Sequence, residues 1–238
     1  MKIVDIRTVV VGNPWKNWIF VIVETSNGLI GLGEATGGLS TKPNESAVNE
    51  IKHLVIGKDP RNINKIIDEI FKSSFLKITP ALSAIEIACW DILGKYLSVP
   101  IYQLFGGKIR NKVRVYANGW YPSSRDPDLI AQKAKEVVSK GYTALKLDPF
   151  GTAYMKLDYK EEEETKNILK SIRKTVGDKV ELMIEGHKRF SIREAIRIGN
   201  WLEDISPTWF EDPVENSDVD SLVSVAQRVP VRIVAGEG

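Results

Sequence analysis

One cysteine and two histidines are the only thiol and imidazole groups in this chain. With Cys89 alone, no internal disulfide can form. A lone thiol suits a reducing compartment, so a cytoplasmic protein is expected. Cys89 lies in the apolar helical pattern "IEIACWDIL", where a buried structural thiol is expected rather than a nucleophile. Cysteine-rich metal sites are excluded for want of ligands, and any metal must be held mainly by oxygen. No run of about 18 apolar residues occurs, which excludes a membrane-spanning helix. The opening "MKIVDIRTVV" is too polar to read as a signal peptide. Net charge is only +2, from 33 Lys and Arg interleaved with 31 Asp and Glu. That balance gives no basic surface for nucleic acid. The 238 residues are 43% hydrophobic and 27% charged. A soluble globular protein with a sizeable core is expected, as one large domain or two smaller ones.

Two rhythms follow one another along the chain. Residues 1 to about 35 read as a β-meander: "KIVDIRTVVV", then "WIFVIVET", a turn at "SNG", and "LIGLGEA". Residues 44–105 read as helices. "NESAVNEIKHLV" opens on polar capping candidates, "INKIIDEIF" follows, and "PALSAIEIACWDILGKYL" is apolar almost all round, as in a buried helix. This block is expected to be an α+β domain over residues 1–110. From 111 to 238, short apolar strands alternate with amphipathic helices. "VRVYANG", "TALKLD", "VELMIE", "PTWFEDP" and "VRIVAGEG" are five expected parallel strands with four helices between them. The regular spacing predicts an incomplete (β/α) TIM-type barrel, with a doubly wound open sheet as the alternative. The glycines of "GLGEATGG", residues 31–38, do not have the G-x-G-x-x-G spacing and open no βαβ helix. They read as a strand end and a loop, which excludes dinucleotide binding.

"MIEGHKRF", residues 183–190, places His187 two residues beyond Glu185, where a buried strand is expected to end. Glu211 in "WFEDP" and Glu237 in "VAGEG" stand at the next two strand ends. The intervals Glu185–Glu211 and Glu211–Glu237 are both 26 residues, one βα unit each. Three successive parallel strands thus present a carboxylate at the same height on the C-terminal face, where such sheets and barrels place active sites. Converging carboxylates repel one another unless a cation lies between them. Oxygen-only ligation suits Mg²⁺ or Mn²⁺. Taken singly, each acid could equally face solvent or cap the next helix; the shared phase favours metal. Lys146, in "ALKLDP", lies one strand earlier, on the same side as Asp148. A cation beside a metal–carboxylate centre is what a carboxylate substrate needs.

These residues carry a family resemblance over essentially the whole chain. "ALSAIEIACWDILGK" with "PIYQLFGGKIR", then "VYANGWY", "GYTALKLDPFG", "IEGHKRF", "FEDPV" and "AGEG", resemble the enolase superfamily in its mandelate racemase-like branch. Within that branch the chain is most similar to the acid-sugar dehydratases of the gluconate, galactonate and arabinonate kind, which are lyases. The resemblance implies an α+β capping domain on a modified TIM barrel. It implies Mg²⁺ held by Glu185, Glu211 and Glu237, where many relatives carry Asp at the first position. His187 matches the general acid of sugar-acid dehydration. The implied reaction removes the proton next to a carboxylate, passes through an enediolate, and expels the β-hydroxyl as His187 protonates it, giving a 2-keto-3-deoxy sugar acid. His53 in "NEIKHLV" is expected to be structural.

Two departures qualify the resemblance. Relatives that epimerise or cycloisomerise carry Lys-x-Lys on the second barrel strand, whereas here it is Lys146-Leu147-Asp148. That favours the dehydratases, with Lys146 binding the substrate carboxylate and standing as the only catalytic candidate here for the base, although Asp148 beside it would favour its charged form, and with Asp148 binding a hydroxyl or orienting Lys146. The sequence also stops before the sixth and seventh strands, which supply the family's His–Asp base. It is therefore expected to be a C-terminally truncated form, inactive alone, that needs a complementing chain or assembles with copies of itself. The other reading is a non-catalytic remnant or subunit that binds metal or ligand. Specificity loops are expected at "GNPWKNW" and near Phe75.

Overall fold

Alternation along the chain builds the first sheet. In the computed structural model, which describes residues 1–12, 16–38, 40–73, 79–215 and 217–236, the chain divides into two compact units, Met1–Asn111 and Lys112–Gly238. In the first unit β1 (Ile3–Val11), β2 (Trp18–Thr25) and β3 (Ile30–Glu34) form an antiparallel meander in that order. Every second residue of β2 is buried, from Ile19 to Thr25, so one face of the sheet looks inward. Among the described residues four α-helices follow: α1 (Thr41–Ile51), α2 (Ile63–Ser73), α3 (Thr79–Leu97) and the short α4 (Ile101–Leu104). The expected polar start of α1 at Asn44 is corrected. The helix begins three residues earlier, after Ser40, which makes no side-chain cap, and Asn44 instead donates to the Ala35 carbonyl at 3.1 Å. His53 sits on a 3₁₀ turn, Lys52–Leu54, with its ring exposed and Nδ1 2.7 Å from the Glu50 carbonyl oxygen.

Helix α3 is the spine of this unit, burying Ala81, Ala84, Ile85, Ala88, Cys89 and Ile92. It lies so close to β3 that no side chain fits beneath it. A Cβ placed on Gly33 would stand 1.9 Å from the Ala84 carbonyl oxygen, and one on Gly31 would stand 2.1 Å from that of Ala88. The glycines of "GLGE" are there for backbone approach. Cys89 is 1% exposed, and burial, aided by the charge of Glu86, pushes its thiol up to about 12. We expect no labelling of the native protein by a thiol-specific disulfide reagent at pH 8, and one equivalent after unfolding. Native labelling at the rate of a free thiol would contradict this packing.

The second unit is a four-stranded parallel sheet in the order β4 (Ala144–Leu147), β5 (Glu181–Glu185), β6 (Trp209–Glu211) and β7 (Ile233–Val234). Helices α5 (Pro127–Ser139), α6 (Tyr159–Val176), α7 (Ile192–Leu202) and α8 (Val219–Ala226) accompany it. Each begins on a side-chain cap: Asp126, Asp158, Ser191 and Asp218 accept from backbone N–H groups of the first turn. Asp158 and Glu161 cap each other reciprocally, which satisfies donors that would otherwise be orphaned. Leu145, Leu147, Leu182, Ile184 and Phe210 belong to the same buried cluster as Ile168, Leu169, Ile198 and Leu202 of the helices. All four residues of β4 are buried, as in a sheet covered on both faces. The fifth strand expected at 113–119 is reduced to a bridge. Ala117 donates to Ala144 at 2.9 Å and accepts from Lys146 at 2.8 Å. Val113 and Val115 are 74% and 63% exposed, so this stretch buries no alternating face that would hold it as a longer strand. Among the described residues no helix is long and apolar enough to cross a membrane.

Candidate active site

Register brings the acidic strand ends together. Glu185 is the last residue of β5, Glu211 the last of β6, and the two are paired across the sheet. Lys146, on β4, reaches between them: its Nζ is 2.7 Å from Glu185 Oε2 and hydrogen-bonded to Glu211 Oε1. The remaining carboxylate oxygens are also satisfied. The His187 backbone N–H donates to Glu185 Oε1 at 2.8 Å, and Trp209 Nε1 donates to Glu211 Oε2 at 2.8 Å. Lys146 is 7% exposed and Glu185 3%. Burial alone would depress the Lys146 ammonium, but its hydrogen bonds to both glutamates hold its pKa above the ordinary lysine value. It therefore stays protonated and is no proton acceptor. Burial raises the Glu185 carboxyl, helped by the Glu211 charge. Burial also acts on Glu211, but the bonds from Lys146 and Trp209 outweigh it and leave that carboxyl below its usual value.

Beside this cluster stands a second one. Asp148, just beyond β4, faces His187 and Arg189. His187 Nδ1 is 2.7 Å from Asp148 Oδ2, and Arg189 Nη2 hydrogen-bonds to the same oxygen. With Nδ1 given to Asp148, Nε2 is the nitrogen left for another partner. The Asp148 hydrogen bond raises the His187 pKa against the opposing effect of burial, and the charges of Asp148 and Glu185 add to it. Burial works to raise Asp148, but His187, Arg189 and the Phe150 amide hold it below the ordinary aspartate value.

The loops that carry these groups are locked to each other. Gly186 N–H donates to the Glu211 carbonyl at 2.8 Å, Lys188 N–H to Asp212 at 2.7 Å, and Phe190 N–H to Pro213 at 3.2 Å. His187, Lys188 and Asp212 have φ of 50°, 59° and 40°, a left-handed conformation that non-glycine residues seldom adopt outside constrained sites. A Cβ on Gly186 would stand 2.9 Å from the Asp212 carbonyl oxygen, so only glycine allows this approach.

The expected site residues Lys146, Asp148, Glu185, His187 and Glu211 thus stand together at one end of the parallel sheet. Glu237 lies outside the described residues, as do Phe75 and residues 13–15 of the expected specificity loops. Asp148 turns to His187 rather than to Lys146. Sequence reasoning did not find Arg189, nor Tyr121, whose hydroxyl accepts the Asp148 N–H at 3.1 Å, nor Trp209. Their only sequence signal is nearness to a strand end.

The donor chemistry fits a hard divalent cation. A buried and a half-buried carboxylate, paired across adjacent strands, require positive charge between them, and oxygen is the only donor they offer. Among the described residues no group of three His, Cys, Asp or Glu is arranged to hold a metal ion. Glu185 and Glu211 would be the ligands, with Lys146 now meeting their charge.

Residues 6–106 match the mandelate racemase/muconate lactonizing enzyme N-terminal domain, and residues 129–238 match the enolase C-terminal domain-like family. The chain belongs to the enolase superfamily. It is 38% identical over 229 residues to a D-gluconate dehydratase of Thermoproteus tenax, across 94% of this chain and 46% of that protein. It is 35% identical to a D-gluconate/D-galactonate dehydratase of Picrophilus torridus, across 94% of this chain and 59% of that protein. Among solved structures, a mandelate racemase/muconate lactonizing enzyme from a Sulfitobacter species superposes with a TM-score of 0.92 at 31% identity, over all of this chain and 66% of that one. The chain spans about half the length of these curated relatives. As a superfamily member it joins an N-terminal antiparallel sheet with helices to a partial parallel α/β region.

Proposed function

We propose that this superfamily member carries the metal-binding and acid groups of a Mg²⁺-dependent dehydratase that converts a sugar acid to its 2-keto-3-deoxy acid. The observation that carries the reading is the pairing of Glu185 and Glu211 across β5 and β6, with the His187–Asp148 pair beside them. Glu185 and Glu211 would hold Mg²⁺ or Mn²⁺, with Glu237 as third ligand. A bound cation would supply Lewis-acid stabilisation of the charge that develops on the substrate carboxylate. Lys146 would bind that carboxylate. His187 would hold a proton on Nε2 for the departing β-hydroxyl, with Asp148 fixing the ring through Nδ1.

None of these assigned groups is ready to take the α-proton. Lys146 is held as an ammonium, both glutamates are engaged, and Asp148 favours the charged form of His187. We therefore propose that the base comes from residues beyond these, within a longer protein, a complementing chain or an assembly. The experiment has two arms. Calorimetry with Mn²⁺ should show binding to the wild type and none to Glu211→Gln; equal binding by both would end the metal assignment. Purified chain with Mg²⁺ and a panel of aldonic acids should yield no 2-keto acid, and turnover should appear once a polypeptide supplying the base is added. Robust turnover by these 238 residues alone would show that the base is already present. Metal binding with no turnover in any complemented form would favour the alternative, a non-catalytic binding subunit.

A further inference from the structure

Lys146 and a divalent cation address the same oxygens. Lys146 Nζ already lies between Glu185 Oε2 and Glu211 Oε1, in a site where both Lys146 and Glu185 are almost fully buried. An ammonium and a dication cannot share that gap, because their mutual repulsion in a poorly hydrated site is severe. The flexible four-carbon stem of lysine lets the charge move while the backbone stays in β4. We propose that Lys146 is an exchangeable counter-ion. The incoming divalent cation displaces its ammonium from Glu185 and Glu211, and the displaced ammonium becomes the group that meets an anionic substrate. This rests on the metal reading given above and goes beyond it, since it makes metal binding the step that arms the lysine.

Two features support the exchange. The first is local charge. Glu185, Glu211, the proposed third ligand Glu237 and one ammonium carry two net negative charges, which repel a carboxylate; a dication cancels them and removes that repulsion, leaving the displaced ammonium to attract one. The second is that the Asp148 carboxylate is already occupied. Asp148 accepts from His187, Arg189 and the Phe150 amide, so the freed ammonium is not simply recaptured two residues along the chain.

The test uses Mn²⁺ alone, with the full chain and Lys146→Gln. Without metal, Lys146→Gln should melt several degrees below the wild type, because the buried Glu185 and half-buried Glu211 carboxylates then face each other unneutralised. By calorimetry it should bind Mn²⁺ roughly tenfold or more tightly, since the internal competitor is gone. Saturating Mn²⁺ should narrow the melting difference. Equal or weaker affinity in Lys146→Gln overturns the exchange and leaves the metal site standing. Failure of both proteins to bind Mn²⁺ overturns the metal reading and the exchange together. A measurement on the wild type covers the case in which the variant does not fold. Reductive methylation of Lys146, followed by peptide mass spectrometry, should be slow without metal and accelerate several-fold with saturating Mg²⁺. An unchanged rate under saturation overturns the proposal.

Discussion

Replacing His187 with Asn should leave Mn²⁺ binding intact and lower dehydration by roughly 10²- to 10⁴-fold in any active form that contains this chain, which is the range for loss of a positioned general acid. Asn keeps much of the shape and can still accept or donate one hydrogen bond, but it has no proton that leaves near neutral pH. The proposed metal ligands should hold, because Glu185 Oε1 takes its hydrogen bond from the residue-187 backbone and not from the ring. Exchange of the substrate α-proton with solvent should survive, since that step precedes departure of the hydroxyl. A variant that dehydrates at the wild-type rate would remove His187 from the mechanism.

Much of this site could be read before the fold was known, because periodicity fixes height. Glu185, Glu211 and Lys146 stand at or near the ends of apolar runs, and parallel pairing places equivalent ends side by side. What periodicity cannot give is who pairs with whom. Nothing in "KLD" says that Asp148 turns to His187 and Arg189 while Lys146 spans two glutamates. That choice is made by the left-handed turn at His187 and Lys188, which local sequence does not announce. The strand expected at 113–119 failed for a related reason. Its alternation is good, but burial decides whether a pleated stretch gains enough to stay paired, and Val113 and Val115 remain exposed.

The stability result of largest expected size lies far from any chemistry, at Gly33. Gly33→Ala should cost at least about 3 kcal/mol, at the upper end for overpacking, and lower the melting temperature by about 10 °C or more. A methyl group there would meet the Ala84 carbonyl oxygen at 1.9 Å and its carbon at 2.7 Å. Both belong to the backbone of α3, so neither can rotate away. Gly28→Ala is the control. Gly28 has φ of 83° but nothing within 4 Å of its would-be Cβ, so it should lose only about 1 kcal/mol to backbone strain. Chemical denaturation of the three proteins measures both values. Similar losses at Gly33 and Gly28 would mean that the helix yields where the packing says it cannot.

The paired amides of Gly186, Lys188 and Phe190 carry a consequence for how motion is distributed. By element type these residues are loop, and loops ordinarily open within milliseconds and exchange their amide hydrogens quickly. Here each alternate N–H points into the neighbouring connection, so protection should run five residues past the end of β5. The segment that presents His187 is then as slow to open as the strand behind it. If His187 is the acid proposed above, it should stay still while the substrate is brought to it.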